Sequence, residues 1–122
     1  MAIQAGDPLS LAFQALADPT RRAILARLAG GDADVSQLTA PFGLSQPTIS
    51  KHLKVLERAG LVTQARDAQR RPRTLVPAPL AAIDRWLDAY RASWESQFQS
   101  LDAHLRRTAA ARSPRRRRRV AR

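Results

Sequence analysis

One stretch near the middle of the chain restricts the folds that this sequence can adopt. It begins with a capping box, in which Asp34 and Gln37 can satisfy each other's free backbone N–H groups at the start of a helix. A nearby proline limits that helix to about two turns, and Gly43 permits a tight turn. A second helix then starts with Ser45 as its N-cap and stops at Gly60. Two short helices joined by a short turn that contains Gly are typical of a helix-turn-helix.

The second of these helices has an inner and an outer side. Its apolar residues, Ile49, Leu53 and Leu56, recur at i, i+4 and i+7 and predict the buried side. The opposite face and its edges carry Gln46, Thr48, Ser50, Lys51, His52, Lys54 and Arg58. Such side chains can donate to phosphates and reach base edges, and the N-terminal half of the helix is expected to enter the major groove. The pattern favours DNA binding, although a solvated helix face with ordinary basic residues has a similar composition.

The distribution of charge supports the same segment. The 122 residues have a net charge of +11, and nine Arg lie in residues 106–122, which contain no acid. Residues 45–73 hold seven basic residues against Glu57 and Asp67, a balance of +5. A strongly basic chain points to polyanionic partners, meaning nucleic acid or an anionic membrane surface. The length fits one domain of ordinary size and excludes a multi-domain enzyme.

The remaining elements are mainly helical. Residues 8–17 show helical spacing, and Asp18 followed by Pro19 predicts the start of a second helix. Residues 61–66 and 74–76 can form two short strands of a hairpin. From Leu80 onward, apolar residues repeat at steps of three or four and predict one amphipathic helix of about 25–30 residues. We divide the chain into a folded domain, 1–108, and a disordered Arg-rich tail, 109–122.

Two segments carry a resemblance to a known family. LADPTRRAILARLA (16–29) and LTAPFGLSQPTISKHLKVLERAGLV (38–62) resemble the ArsR/SmtB group of bacterial winged-helix repressors, over about residues 8–108. The resemblance implies a winged helix-turn-helix fold with a small β-hairpin wing and a long C-terminal dimerisation helix. It implies a homodimeric transcriptional regulator in the bacterial cytoplasm, associated with the nucleoid. It also implies that operator DNA is contacted by Ser45, Gln46, Thr48, Ser50, Lys51 and His52, with Lys54 on the same outward face.

The predicted wing departs from the family pattern. Arg70, Arg71 and Arg73 resemble a basic wing tip that reaches the minor groove or its phosphates. Family wings usually carry Gly at the turn and an aromatic residue in the return strand, whereas this chain has Ala68-Gln69 and Pro72. Because proline lacks a ladder donor, we expect a short or loosely ordered wing.

A long apolar stripe on the last helix predicts a dimer interface. A body this small cannot cover the stripe, so pairing with a symmetry mate beside the first helix is the natural solution. The predicted interface residues are Leu9, Phe13, Leu16, Leu80, Ile83, Leu87, Tyr90, Trp94 and Phe98. The alternative is a pocket lined by Trp86 or Trp94 for an unidentified small-molecule effector.

Several kinds of site are not expected. The chain has no Cys, so the Cys-rich metal site of the family lacks its ligands, and Trp86, Gln97 and Ser100 stand where metal ligands of the last helix would be. The residues show no catalytic constellation, so we predict neither an enzyme nor a cofactor. We expect no membrane association, since no apolar run could span a bilayer and the N-terminus shows no secretory signal.

The Arg-rich tail leaves one alternative function open. It could be a nonspecific DNA arm or a solvated terminus. A low-specificity DNA-packaging protein driven by this tail is therefore the alternative to a repressor that binds a pseudo-palindromic operator through residues 45–59.

Overall fold

The computed structural model of the chain describes residues 6–65 and 69–112. Over these ranges it contains five helices and two short strands. In order they are α1 (Pro8–Leu16), α2 (Pro19–Ala29), α3 (Val35–Phe42), α4 (Gln46–Arg58), β1 (Val62–Gln64), β2 (Arg73–Leu75) and α5 (Ala78–Arg112). The prediction of a mainly helical fold with a small hairpin and a long C-terminal helix is confirmed.

Side-chain caps begin the helices where the sequence predicts. The Asp18 carboxylate accepts the backbone N–H groups of Thr20 at 2.8 Å and Arg21 at 3.2 Å at the start of α2. Asp34 and Gln37 form the predicted capping box of α3, with both reciprocal bonds at 2.9 Å. These bonds satisfy N–H groups that the first turn of a helix leaves without a partner.

The core of the unit that ends at Arg85 forms around α4, which packs against α1, α2, α3 and β1. The largest fully buried side chains are Ile24, Leu38, Ile49, Leu53, Leu56 and Leu61. Burial of each such side chain contributes roughly 1.5–3 kcal/mol relative to exposure. The predicted buried stripe of α4 is confirmed, and its burial fixes which face of α4 is left toward solvent.

The two strands form an antiparallel hairpin. Val62 pairs with Leu75 and Gln64 with Arg73, and the strands are shorter than predicted. The N–H of Ala65 donates to the carbonyl of Pro72 at 3.1 Å, but proline has no N–H with which to continue the ladder. The strands have three residues each, as expected for a short wing. Residues 66–68 lie outside the described residues.

Helix α5 is longer than predicted. It has 35 residues and begins at Ala78, with Pro79 in the first turn, where the missing N–H has no intrahelical partner to lose. The helix continues through Arg112, so residues 109–112, which we assigned to the tail, are helical; residues 113–122 lie outside the described residues. The boundary between the chain's two compact units falls within it, between Arg85 and Trp86.

Candidate nucleic-acid interface

The turn between α3 and α4 sets the start of the candidate recognition helix. Gly43 has a φ of +63°, a left-handed conformation that glycine adopts without a steric cost. Ser45 then caps α4, and its Oγ accepts the N–H of Thr48 at 3.3 Å. The two hydroxyl oxygens of Ser45 and Thr48 also lie 2.9 Å apart. Both predicted contact residues therefore help to build the start of the helix.

The outward face of α4 is polar and accessible. Gln46, Lys51 and Lys54 are exposed, and Ser50 is half-buried beside them. On the opposite side Ile49, Leu53 and Leu56 are at most 1% exposed. Because the inner side is fully buried, the helix cannot rotate without losing its core, and these polar groups stay directed to solvent.

Gln46 lies beside α3 and the wing. Its Nε2 donates to Ser36 Oγ at 3.5 Å, which orients the amide at the start of α4. The two residues share a cavity of about 410 Å³ with Asp34, Gln37 and Arg70. The arrangement gathers amide, hydroxyl and guanidinium donors at one end of the exposed helix face.

His52 occupies a different environment from Lys51 and Lys54. It is half-buried, and its Nδ1 lies 3.4 Å from Arg21 Nη1. Arg21 also donates from Nε to the Ala15 carbonyl at 2.7 Å and from Nη2 to the Gln14 carbonyl at 2.9 Å. Arg21 was not among the predicted site residues, because nothing in its local sequence indicates that a residue of α2 reaches α4.

Asp18 completes this cluster. Burial alone would raise the pKa of its carboxyl, but two effects together hold the pKa below its usual value. One is hydrogen bonding from the backbone N–H groups of Arg21 and Thr20, and the other is the electrostatic interaction with His52 and Arg21. The carboxylate therefore stays ionised at neutral pH, and its Oδ2 lies 4.0 Å from Nη1 of Arg21 on α2.

Two of the three arginines that were predicted to contact DNA from the wing are exposed to solvent. Arg70 is 83% exposed, with Nη1 4.0 Å from Asp34 Oδ2, and Arg71 is exposed with a φ of +49°. The side chain of Arg73 is only 13% exposed, and its Nε donates to Glu57 Oε1 at 3.1 Å. Successive residues of a strand point alternately to its two faces. The side chain of Arg73 lies on the face toward α4 rather than toward solvent.

The predicted interface residues fall into two groups. Leu16 and Leu80 are half-buried and pack against the core of their own chain, and their place in a dimer interface stays a prediction. Leu9, Ile83, Leu87 and Trp94 are half-buried, whereas Phe13 is 39%, Tyr90 49% and Phe98 66% exposed.

Further apolar side chains on α5 are exposed. Trp86 is 44% exposed, and its ring centroid lies 5.0 Å from that of Tyr90. Leu101 and Leu105 farther along the helix are more than half exposed. The helix thus keeps an apolar face open to solvent in the single chain.

Neither a metal-binding cluster nor a membrane-spanning helix occurs in the part of the chain that the structure describes. No group of three or more His, Asp or Glu side chains is placed to hold a metal ion there. The helices within the same residues are all too short or too polar to span a lipid bilayer.

Comparison with known proteins identifies the family. Residues 18–64 match the model of the arsR family of bacterial regulatory proteins. The chain is 47% identical over 79 residues to the HTH-type transcriptional regulator Rv2034 of Mycobacterium tuberculosis, covering 65% of this chain and 74% of that protein. It is 42% identical over 57 residues to the transcriptional repressor SdpR of Bacillus subtilis, covering 47% of this chain and 63% of that protein.

Solved structures agree with this match. The ArsR family transcriptional regulator RHA00566 is similar with a TM-score of 0.67 and 39% identity, over 73% of this chain and 98% of that one. The homodimeric winged helix-turn-helix domain of Mb0332 from Mycobacterium bovis gives a TM-score of 0.57 and 27% identity, over 70% of this chain and 82% of that one. The chain belongs to the ArsR family of bacterial transcriptional regulators, which bind DNA through a winged helix-turn-helix.

Proposed function

We propose that this regulator is a homodimeric repressor that binds a pseudo-palindromic operator through α4. The observation that carries the proposal is the exposed face of α4, on which Gln46, Lys51 and Lys54 stand opposite a fully buried apolar stripe. The stripe fixes the rotation of the helix, and the polar face carries the donors, acceptors and charges with which a helix reads the major groove.

The polar residues of α4 divide into two roles in this proposal. Gln46, Thr48 and Ser50 lie in the N-terminal half of α4 and carry the neutral donors and acceptors that distinguish base edges. Lys51 and Lys54 carry charge and neutralise phosphates. His52 reaches DNA from the edge of the face while Arg21 orients its ring. On the wing, Arg70 and Arg71 contact the adjacent backbone or minor groove.

Dimerisation places two such helices on one duplex. The apolar side chains of α5 that are exposed in a single chain, among them Tyr90 and Phe98, support a two-fold interface. The homodimeric Mb0332 domain, which is similar over most of its length, supports the same assembly. A two-fold dimer presents its recognition helices to half-sites about one helical turn, or roughly 34 Å, apart. Occupying a promoter in this way blocks transcription, and it places the protein on the bacterial nucleoid.

A genome-wide footprint of bound sites, followed by binding to the recovered sequence, tests the proposal. Gln46→Ala is expected to lower affinity and relax the preferred sequence, because it removes a base-edge contact worth about 1–3 kcal/mol. Lys51→Ala is expected to weaken binding to all duplexes alike. Gln99→Ala and Arg85→Ala, exposed on α5, are matched controls for the amide and the charge.

Unchanged footprints for both α4 variants would contradict the proposed role of α4. Equal protection of operator and unrelated duplexes by the unmodified protein would instead favour the DNA-packaging alternative. The match to transcriptional regulators supports operator binding over the hypothesis of a DNA-packaging protein.

A further inference from the structure

Arg73 joins the wing to the recognition helix. Its Nε donates to Oε1 of Glu57 in the last turn of α4 at 3.1 Å, and the two side chains are 13% and 29% exposed. A charge-assisted hydrogen bond that is mostly shielded from water has a more defined geometry than an exposed ion pair. The base of the wing is therefore attached to α4 by a side chain as well as by the chain itself.

The same guanidinium also stabilises the turn that carries the exposed arginines. Its Nη1 donates to the carbonyl of Arg71 at 2.6 Å. Arg71 has a φ of +49°, a left-handed conformation that side-chain-bearing residues rarely adopt. A donor on that carbonyl compensates for the unfavourable backbone conformation and holds the turn in one shape.

The backbone of Arg73 makes a third attachment. Its N–H donates to the carbonyl of Ala33 at 2.8 Å, and the N–H of Ala33 returns a bond to the carbonyl of Arg73 at 3.2 Å. Ala33 directly precedes Asp34, the cap of α3, so this bridge fixes the hairpin to the start of the helix-turn-helix. One residue thus contacts the wing turn, the beginning of α3 and the end of α4.

We propose that Arg73 is a positioning residue that holds the wing at a fixed angle to α4, so that Arg70 and Arg71 meet DNA beside the operator bases that α4 reads. This inference rests on the proposed operator binding and adds a specific division between the three wing arginines. Arg70 and Arg71 contact the nucleic acid, and Arg73 acts through Glu57 and Arg71.

Direct contact between Arg73 and DNA is the competing interpretation. To reach a phosphate, Arg73 would have to leave Glu57, and a carboxylate would then face the polyanion without its partner. Arg70, at 83% exposed against 13% for Arg73, reaches DNA without such a cost.

The test compares binding of the full-length protein to two duplexes. The short duplex ends at the edge of the sequence protected by α4, and the long duplex adds the flanking base pairs that the wing reaches. Wild-type protein is expected to prefer the long duplex by about tenfold, the equivalent of one charge-assisted hydrogen bond. Arg73→Lys is expected to abolish this preference, and Glu57→Gln, whose amide oxygen accepts a hydrogen bond but carries no charge, is expected to reduce it severalfold. Both variants should leave affinity for the short duplex at least as high as in wild type.

These two variants separate positioning from plain electrostatics. Glu57→Gln removes a negative charge, so an electrostatic effect alone would strengthen binding to the long duplex. Arg73→Lys retains the charge, so a direct contact between residue 73 and a phosphate would persist. An ammonium group cannot donate to Glu57 and to the Arg71 carbonyl with the geometry of a guanidinium, so the positioning would be lost. Asp102→Asn removes the carboxylate that pairs with Arg106 on α5 and is the charge-matched control for Glu57→Gln.

Two results would overturn the inference, and a third would overturn the operator binding on which it rests. Retention of the long-duplex preference in Glu57→Gln, or in Arg73→Lys, would show that the ion pair does not position the wing. Equal loss of affinity for both duplexes, with a lower unfolding temperature, would show a role in stability alone. Wild-type protein without specific binding to either duplex would count against the proposed operator binding instead, and this distinguishes the two failures.

Discussion

Arg21 Nη1 on α2 lies 3.4 Å from His52 Nδ1 on α4. A guanidinium can only donate, so the ring nitrogen is the acceptor in this contact. Near the other end of the same helix, Arg73 donates to Glu57. The recognition helix is therefore oriented by its buried apolar stripe and, at two points along its length, by arginines from other elements of the fold.

Replacement of Arg21 by Lys is expected to destabilise the fold. Lysine keeps the charge but cannot donate at once to the Ala15 carbonyl, the Gln14 carbonyl and His52. Loss of these charge-assisted bonds should lower the free energy of unfolding by about 1.5–3 kcal/mol, measured by urea denaturation. Arg22→Lys, which affects an exposed side chain bonded to the Leu16 carbonyl, is the matched control and should change stability less. Equal effects of the two replacements would contradict this account.

Asp18 is expected to make stability depend on acid pH. Its pKa in the folded protein lies below the ordinary value of an aspartate, so its ionised form is favoured by folding. The resulting stabilisation is complete above the unfolded pKa and disappears as pH falls through the lower folded pKa. Asp18→Asn, which keeps a capping side chain, should therefore be less stable than wild type at pH 7 and converge with it as pH falls through the folded pKa of Asp18.

The measurement is urea denaturation of Asp18→Asn across this pH range, with Asp32→Asn in the loop before α3 as the control. A constant difference between Asp18→Asn and wild type at every pH would show that the carboxyl does not titrate with folding. The same convergence in Asp32→Asn would show that the effect is not specific to the cap.

Gly43 is expected to tolerate Asn better than Ala. A Cβ at this position meets no atom within 4 Å, so the cost of substitution comes from the φ of +63° rather than from a clash. Ala should destabilise by about 1–2 kcal/mol, and Asn, which visits this conformation more readily, by less. Gly30→Ala is the control, because Gly30 has a φ of −86° and its Cβ would sit 3.5 Å from the Arg27 carbonyl. Equal thermal midpoints for the Ala and Asn variants at position 43 would contradict this reasoning.

The helix starts and the inner face of α4 could be read from the sequence because their determinants are local. Asp18, Asp34 and Ser45 lie within three residues of the N–H groups they cap. The spacing of the apolar residues likewise defines a helix face without knowledge of the rest of the fold. The location of the candidate DNA-reading face follows from these two facts.

The contacts that orient the exposed face of α4 could not be predicted from the sequence, since they join residues far apart in the chain. Arg21 and His52 are 31 positions apart, and Arg73 and Glu57 are 16 apart. In the sequence Arg73 is one of three similar arginines, and only the pairing of the strands shows which of them turns inward. Periodicity also cannot tell whether an apolar side chain meets its own core, as Leu80 does, or remains exposed, as Phe98 does.

Replacement of Phe98 by Ser is expected to weaken the proposed dimer without unfolding the chain. The side chain is 66% exposed in one chain, so its loss leaves the core intact. If it is buried in a two-fold interface, each copy loses roughly 1.5–3 kcal/mol of burial, and the dimer dissociation constant should rise by about a hundredfold or more. Sedimentation over a concentration series measures this, with Gln99→Ser on the same helix as the control. A wild-type protein that sediments as a monomer at micromolar concentration would contradict the dimer itself.

Truncation after Arg112 is expected to reduce affinity for DNA and its salt dependence, but not the preferred sequence. The removed residues contain six Arg, and each phosphate contact that is lost should lower the salt slope by about 0.9. Base-edge contacts on α4 remain, so the ratio of operator to random-duplex binding should be retained or should rise. Replacement of Arg115 to Arg119 by Lys is the control, because phosphate neutralisation needs charge and not the guanidinium shape. Collapse of the sequence preference on truncation would mean that the tail, rather than α4, determines where this protein binds.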